Sequence, residues 1–302
     1  MDNFPKIKEA NIFYLLVMIV FLTVGSSVQY KSLYGGLLIT EFILIMLPVL
    51  MYLKIRNYDF KSVLKLNSFK PVHILIVFGI MFFGWYVSAF LGILTNYVLT
   101  RLVPELPPFP IAPAMDFKDL IMQIMVIGVS AAIAEEIMFR GLILKSYEEA
   151  GTIRAVIFSG FLFGMMHLNP QNLLSTSFLG MLIALIVVRT NSIFMGMVAH
   201  FINNTIAVTL LYLSSGLGEV LPDESASTII GFKEVAVWFL IALFMSAFLI
   251  VMIKSLYKNT SAEPVEPKGD AVSFLKKSLF HWPILIAMTI YVLWGLYQLG
   301  II

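Results

Sequence analysis

Long apolar runs are the feature that most constrains this chain. A helix needs about 20 mostly apolar residues to cross a bilayer, and nine stretches are candidates for such helices. They fall at 11–30, 33–53, 72–99, 118–144, 153–168, 173–189, 191–213, 232–254 and 282–301. Because 153–168 and 173–189 are short for full crossings, the alternative is eight spans. The predicted fold is therefore all-α, a polytopic membrane helical bundle of eight or nine transmembrane helices.

The composition agrees with a membrane bundle and excludes several classes of function. The chain is 60% hydrophobic and 13% charged, with a mean hydropathy of +0.93. A net charge of only +2 offers no basic surface for nucleic acid, which is not expected as a partner. The absence of cysteine excludes disulfides, thiolate nucleophiles and cysteine-ligated metals.

The basic residues predict which loops face the cytoplasm, where short loops of membrane proteins are enriched in lysine and arginine. With a cytoplasmic N-terminus, 15 of the 20 basic residues fall on the cytoplasmic side and four on the other. The cytoplasmic set includes a polar linker, 258–277, which is predicted to be flexible. We therefore expect a multi-pass protein integral to the cell membrane.

Polar side chains within the predicted spans are the second informative feature, because such groups are costly in lipid and usually mark a functional site. At a rise of about 1.5 Å per residue, three of them lie about 15 to 21 Å from the cytoplasmic ends of their helices. This common depth predicts an intramembrane polar cavity. The three are Glu135, His200 and His167, and the others are Glu136, Arg140, Asn203, Asn204 and Glu41.

These residues have the chemistry of a hydrolase for a carbonyl compound such as a peptide. Glu135 and His167 could activate a water molecule, with the carboxylate as the base. His200 and Asn204 are four residues apart on one helix and could donate hydrogen bonds to a developing oxyanion. Glu136 and Arg140 have the same spacing, so we expect them to pair and to support the neighbouring Glu135.

Other readings of the same residues remain open. Glu135, His167 and His200 could hold Zn²⁺, although the sequence lacks the H-E-x-x-H pattern. A buried histidine or asparagine can also be purely structural, bonded to a neighbouring helix, and Glu41 has no obvious partner. Gly160 and Gly164 form a small-xxx-small face, which predicts close helix packing.

Three short segments resemble the motifs of the CAAX prenyl protease 2 / Abi (CPBP) family of intramembrane endopeptidases. They are EEIMFRG at 135–141, FGMMH at 163–167 and HFINN at 200–204. The resemblance implies a CAAX-type, glutamate-dependent peptidase in which Glu135 and His167 activate water and His200 and Asn204 form the oxyanion hole. It suggests supporting roles for Glu136 and Arg140. Members of the family have been described both as metalloproteases and as glutamate-dependent, metal-free enzymes, and we favour the second because the sequence contains no complete metal site.

The resemblance also suggests a division of the chain and a class of substrate. Residues 118–213 would be the catalytic core, between N-terminal helices at 1–117 and C-terminal helices at 214–302 with a cytoplasmic linker at 255–281. The expected partners are membrane lipids and a protein or peptide, prenylated or not, that is cut near its C-terminus. The alternatives are a non-catalytic membrane immunity or regulatory protein with the same fold, and a proton-relaying transporter.

Overall fold

The structure is a computed structural model that describes residues 4–103, 105–107, 112–218 and 230–302. Over these residues it is a bundle of helices without any strand. The helices are numbered here in chain order, leaving out single turns. They are α1 Ile7–Lys31, α2 Leu33–Ile55, α3 Pro71–Leu99, α4 Phe117–Ala150, α5 Thr152–Met166, α6 Leu173–Thr190, α7 Ile193–Gly218, α8 Phe232–Asn259, α9 Ala271–Lys277 and α10 Trp282–Gln298.

Seven of the described helices are long and apolar enough to cross a membrane: α1, α2, α3, α4, α6, α7 and α8. Helices α9 and α10 meet at a bend of 69°, and together they make an eighth candidate for a membrane span. The all-α polytopic fold is therefore confirmed, and the count agrees with the lower predicted number, eight. Helix α5 has 15 residues and a length of about 22 Å, which is short of a bilayer core of about 30 Å.

Two of the spans contain π-helical stretches beside the polar residues. In α4 the α-helical turn Ala131–Glu136 lies between the π-helical stretches Ile124–Ser130 and Ile137–Leu144. In α2 the stretch Ile39–Met46 is π-helical and contains Glu41. Such turns are rare and frequently occur at functional sites, because they change the direction in which the following side chains point.

Helices α5 and α6 form a tightly packed hairpin. A Cβ atom at Gly180 would lie 3.0 Å from the Cα of Gly160, and one at Gly164 would lie 3.0 Å from the carbonyl oxygen of Leu173. Larger residues at these positions would therefore force the two helices apart. The predicted close packing at Gly160 and Gly164 is confirmed.

The turn of this hairpin is held by contacts from two other parts of the chain. Leu168 follows α5 in the left-handed region, with a φ of 49°. The hydroxyl of Tyr291 on α10 donates to the carbonyl oxygen of Asn169 at 3.2 Å. The side-chain amide of Gln171 donates to the carbonyl oxygen of Pro107 at 2.9 Å. The chain thus turns back after α5.

The loops that were predicted to share the cytoplasmic side do lie together at one end of the bundle. Glu148 at the end of α4 lies 2.8 Å from Lys65 and 3.4 Å from Lys145, and Glu149 lies 3.6 Å from Lys6. Three segments that are distant in sequence therefore meet at this end: the start of α1, the loop after α2 and the end of α4.

The linker after α8 is docked onto the same end. The backbone N–H of Thr152 donates to the carbonyl oxygen of Val265 at 2.9 Å, and the N–H of Val265 donates to Oγ1 of Thr152 at 2.7 Å. Arg154 donates to the carbonyl oxygens of Lys268 and Gly269, at 3.2 and 3.1 Å. The predicted flexibility therefore does not extend to this part of the linker, because the start of α5 supplies hydrogen-bond partners.

Helix α8 illustrates the surface that faces lipid. It exposes most of its large apolar side chains while packing along α3. The exposed set on this helix is Phe232, Val237, Phe239, Leu240, Leu243, Phe244, Phe248, Ile250, Val251 and Tyr257. Such a surface would be unstable in water and is expected for a helix in a bilayer.

Candidate active site

The site is built around Glu136, which is completely buried in α4. Its Oε1 atom lies 3.0 Å from Nη1 of Arg140, one turn later on the same helix, so the predicted ion pair is present. The same oxygen lies 3.0 Å from Nδ1 of His200 on α7. Because a carboxylate can only accept, Nδ1 of this imidazole carries the hydrogen. Glu136 therefore joins α4 to α7.

Arg140 joins α4 to the α5–α6 hairpin. Its Nη2 donates to the carbonyl oxygen of Gly180 on α6 at 3.0 Å, and its guanidinium lies 4.7 Å above the ring of Phe163 on α5. The side chain is almost completely buried. A buried cation needs such partners, since an unpaired charge in an apolar interior is highly unfavourable.

The ring of Phe163 lies between the two histidines of the site. Its centroid is 4.9 Å from that of His167 and 5.5 Å from that of His200, both edge to face. His167 directly follows α5, and its Nδ1 donates to the carbonyl oxygen of Phe163 at 2.9 Å. The hydrogen is therefore on Nδ1, and in the neutral imidazole Nε2 of this exposed side chain can accept a proton.

Asn204 lies one turn beyond His200 on α7 and also contacts α4. Its Nδ2 donates to the carbonyl oxygen of Ile127 at 2.9 Å, and its Oδ1 accepts from Nδ2 of Asn203 at 3.0 Å. One of the two Nδ2 hydrogens is thus used by the helix contact. The other remains for a ligand.

Glu135 is partly buried and has a different environment from its neighbour. Its Oε2 is buried and without a partner, and within the described ranges no hydrogen bond joins this glutamate to His167 or to any other residue. The turn that contains it packs against the stretch of α2 that contains Glu41. The structure thus gives the adjacent glutamates different surroundings. Oε1 of Glu136 lies 3.0 Å from both Arg140 and His200, whereas no described residue bonds to Glu135, and Oε2 of each glutamate is buried without a partner.

The three residues that could hold Zn²⁺, Glu135, His167 and His200, do not come together as a set of ligands in this structure. Among the described residues, no three histidine, aspartate or glutamate side chains lie close enough together to hold one ion. Within the set Glu135, His167 and His200, the last has Nδ1 bonded to Glu136.

Sequence reasoning missed three contacts that build the site. Phe163 is the first residue of the motif FGMMH, and no role was predicted for it. Its ring contacts both histidines and Arg140. The carbonyl of Gly180 and the close approach of Gly196 to Glu136 carry no sequence signal of their own. A Cβ atom at Gly196 would lie 2.7 Å from Oε2 of Glu136, so glycine is needed there.

The comparison with protein families places the site inside a matched segment. Residues 117–206 match the family model described as type II CAAX prenyl endopeptidase Rce1-like. No curated protein and no solved structure matches the chain significantly. The matched segment contains all six of the predicted site residues, Glu135, Glu136, Arg140, His167, His200 and Asn204. Over residues 117–206, this multi-pass membrane protein is similar to the Rce1-like family of type II CAAX prenyl endopeptidases.

Proposed function

We propose that the protein is an intramembrane endopeptidase of the CAAX type, which hydrolyses peptide bonds near the C-terminus of protein or peptide substrates. One observation carries the proposal: the buried cluster of Glu136, Arg140 and His200, beside an unpaired Glu135, lies within the segment that matches this endopeptidase family. Burying such groups in an apolar bundle is costly, and membrane proteins retain them mainly where they function.

Glu135 and His167 are the proposed activators of water. Glu135 has a buried oxygen without a hydrogen-bond partner, which can accept a proton from a water molecule. His167 has its Nδ1 hydrogen bonded to the Phe163 carbonyl, which fixes the ring and leaves Nε2 to orient the same water. In the reaction, water loses a proton to Glu135 and its oxygen attacks the carbonyl carbon. The proton then passes to the leaving amine as the C–N bond breaks.

His200 and Asn204 are the proposed oxyanion hole. Because Nδ1 of His200 donates to Glu136, its Nε2 becomes a second donor only when the imidazole is protonated. The Glu136 carboxylate stabilises that cation, which then faces the developing negative charge. The remaining Nδ2 hydrogen of Asn204 is the second donor. Two preorganised donors in a site with little water give strong stabilisation of the tetrahedral intermediate.

A neighbouring apolar cleft supports a substrate that carries a lipid, such as a prenyl group. The cleft, of about 270 Å³, lies between α3 and α7 and is lined by Phe82, Trp85, Tyr86 and Ile206, together with Thr205, which follows Asn204. An apolar chain would be stabilised there by burial of its surface. The proposed location is the cell membrane with the N-terminus in the cytoplasm, which the clustering of the basic loops at one end supports.

The experiment is a cleavage assay with the full chain in lipid nanodiscs. The substrates are a prenylated C-terminal peptide and its unprenylated form, each with and without a chelator of divalent metals. We expect cleavage that survives chelation and is lost in Glu135→Gln, which keeps the size of the side chain but removes the base. Glu149→Gln is the matched control, since this exposed glutamate lies at the end of the bundle, 3.6 Å from Lys6.

Each alternative predicts a different outcome of the same assay. Loss of cleavage on chelation, restored by Zn²⁺, would favour the metal site. Retained cleavage in Glu135→Gln would exclude this glutamate as the base. Binding of peptide without cleavage by the wild-type protein would favour the immunity or regulatory protein.

A further inference from the structure

A second buried carboxylate, Glu41, lies on α2 in the stretch that packs against the α4 turn of Glu135. Glu41 is 5% exposed, and its Oε2 is buried without a hydrogen-bond partner, as is Oε2 of Glu135. The π-helical stretch Ile39–Met46, which contains Glu41, packs against the turn Ala131–Glu136, which contains Glu135. The proposed mechanism gives Glu41 no role, and it lies outside the matched segment 117–206.

Among the described residues packed around this pair, none supplies a free cation to neutralise it. On α4, Arg140 is the nearest cation and is held by Glu136, although its charge also interacts with Glu135. On α7, His200 bonds to Glu136 as well. Three stretches of α1 pack against this part of α2: Ile7–Val20, Phe21–Gly25 and Ser26–Lys31. The basic residues in them, Lys8 and Lys31, lie near the two ends of α1 and are exposed.

Two facing carboxylates in a water-poor site are unfavourable if both are ionised, because their charges repel and neither is solvated. One shared proton removes the repulsion and gives each unpaired oxygen a partner. Carboxyl pairs of this kind occur where one group must act as a base while the other remains protonated.

We propose that Glu41 and Glu135 form a carboxyl dyad that holds one proton, with Glu41 as a positioning residue whose hydroxyl donates to Glu135. The dyad fixes the rotamer of Glu135 and leaves its second oxygen for water. During hydrolysis the dyad gains a proton from water and loses one to the leaving amine, so it returns to its starting state. This catalytic role rests on the proposed function, whereas the existence of the dyad does not.

The existence of the dyad can be tested without any substrate. Infrared spectra of the full chain in nanodiscs, recorded over a pH titration, detect the C=O stretch of protonated carboxyl groups. The variants are Glu41→Gln and Glu135→Gln. Each is expected to move the titration midpoint of the remaining carboxyl by about one pH unit or more, because the charge of its partner is gone. If either carboxyl titrates as in the wild type when its partner is replaced, the dyad is excluded.

The catalytic role is tested by the pH dependence of cleavage. We expect the wild-type rate to fall at high pH, where the dyad loses its last proton. Glu41→Gln keeps a hydrogen-bond donor but cannot titrate, so it should retain activity and lose this alkaline limb. Glu41→Ala also loses the donor, and its kcat should fall by about 10²-fold with little change in KM.

The matched control is Thr40→Val, at the neighbouring buried position. Thr40 accepts from Gln29 at 3.0 Å and donates to the carbonyl oxygen of Gly36 at 2.8 Å, so its loss disturbs α2 without touching the dyad. The control should keep the alkaline limb. An unchanged alkaline limb in Glu41→Gln would exclude the catalytic role. If the wild-type chain cleaves nothing, the proposed function fails, and the infrared result still decides whether the dyad exists.

Discussion

A single oxygen of Glu136 lies 3.0 Å both from Nδ1 of His200 and from Nη1 of Arg140. One carboxylate thereby connects three helices, since Arg140 continues to the carbonyl of Gly180 on α6. The arrangement uses the charge of Glu136 entirely within the protein. Its neighbour Glu135 is left as the carboxylate that can react.

Replacing Glu136 by glutamine should lower the free energy of unfolding of the protein. The substitution leaves Arg140 buried without a counter-charge, and breaking a buried ion pair on one side costs about 3 to 5 kcal/mol. The measurement is thermal unfolding in detergent, where Tm should fall clearly. Lys6→Ala is the control, because its pair with Glu149 is exposed and should contribute almost nothing. An equal Tm for Glu136→Gln and wild type would contradict the role given to Glu136.

The two histidines should respond differently to alanine substitution. His167 is exposed at the end of α5, so His167→Ala should leave Tm unchanged while the rate of cleavage falls by about 10²- to 10⁴-fold. His200 is buried and bonded to Glu136, so His200→Ala should lower both Tm and activity. Cleavage by His167→Ala at the wild-type rate would remove this histidine from the mechanism.

The contact between α5 and α6 should not tolerate a methyl group. In Gly180→Ala the new Cβ would lie 3.0 Å from the Cα and 3.1 Å from the carbonyl oxygen of Gly160, and overpacking of this kind costs about 1 to 3 kcal/mol. The expected result is a lower Tm and, because Arg140 bonds to the Gly180 carbonyl, a lower activity. Gly92→Ala is the matched control within α3, since its Cβ would lie 3.8 Å from Ser175, an ordinary contact. A loss of stability in Gly92→Ala alone would contradict the close packing described for Gly180.

The docked linker should become accessible to protease when one of its hydrogen bonds is removed. Thr152→Val keeps the shape of the side chain but removes the Oγ1 acceptor of Val265, a loss of about 1 kcal/mol. Trypsin should then cut faster after Lys268, which mass spectrometry can follow over time. Thr289→Val is the control, because Thr289 is exposed and bonds only within α10. Equal rates of cutting in the wild type and Thr152→Val would show that the linker is not held by this contact.

Much of the fold follows from the sequence because hydrophobicity alone places a helix in a membrane. The predicted spans 72–99 and 232–254 agree closely with α3 and α8. The predicted bounds of α5, 153–168, agree with Thr152–Met166 within two residues, but the turn that follows this helix depends on tertiary contacts. Tyr291 and Pro107 hold that turn, and neither is near it in sequence.

Some contacts of the candidate site likewise follow from the sequence, and others depend on how the helices pack. The Glu136–Arg140 pair follows from spacing within one helix and was predicted. The bond from His200 to Glu136 depends on how α7 is rotated against α4, which no local pattern encodes. For Glu41 the sequence shows only a charged residue in an apolar run. Its position opposite Glu135 depends on the packing of two separate helices.

The contact between Tyr291 and Asn169 has a consequence for what counts as the functional unit. Helix α10 lies at the far end of the chain from Glu135, yet it forms part of the wall behind the turn that presents His167. Pro170 in that turn also packs against Gly295. A fragment trimmed to the family-matching segment would therefore lack the helix that braces this turn.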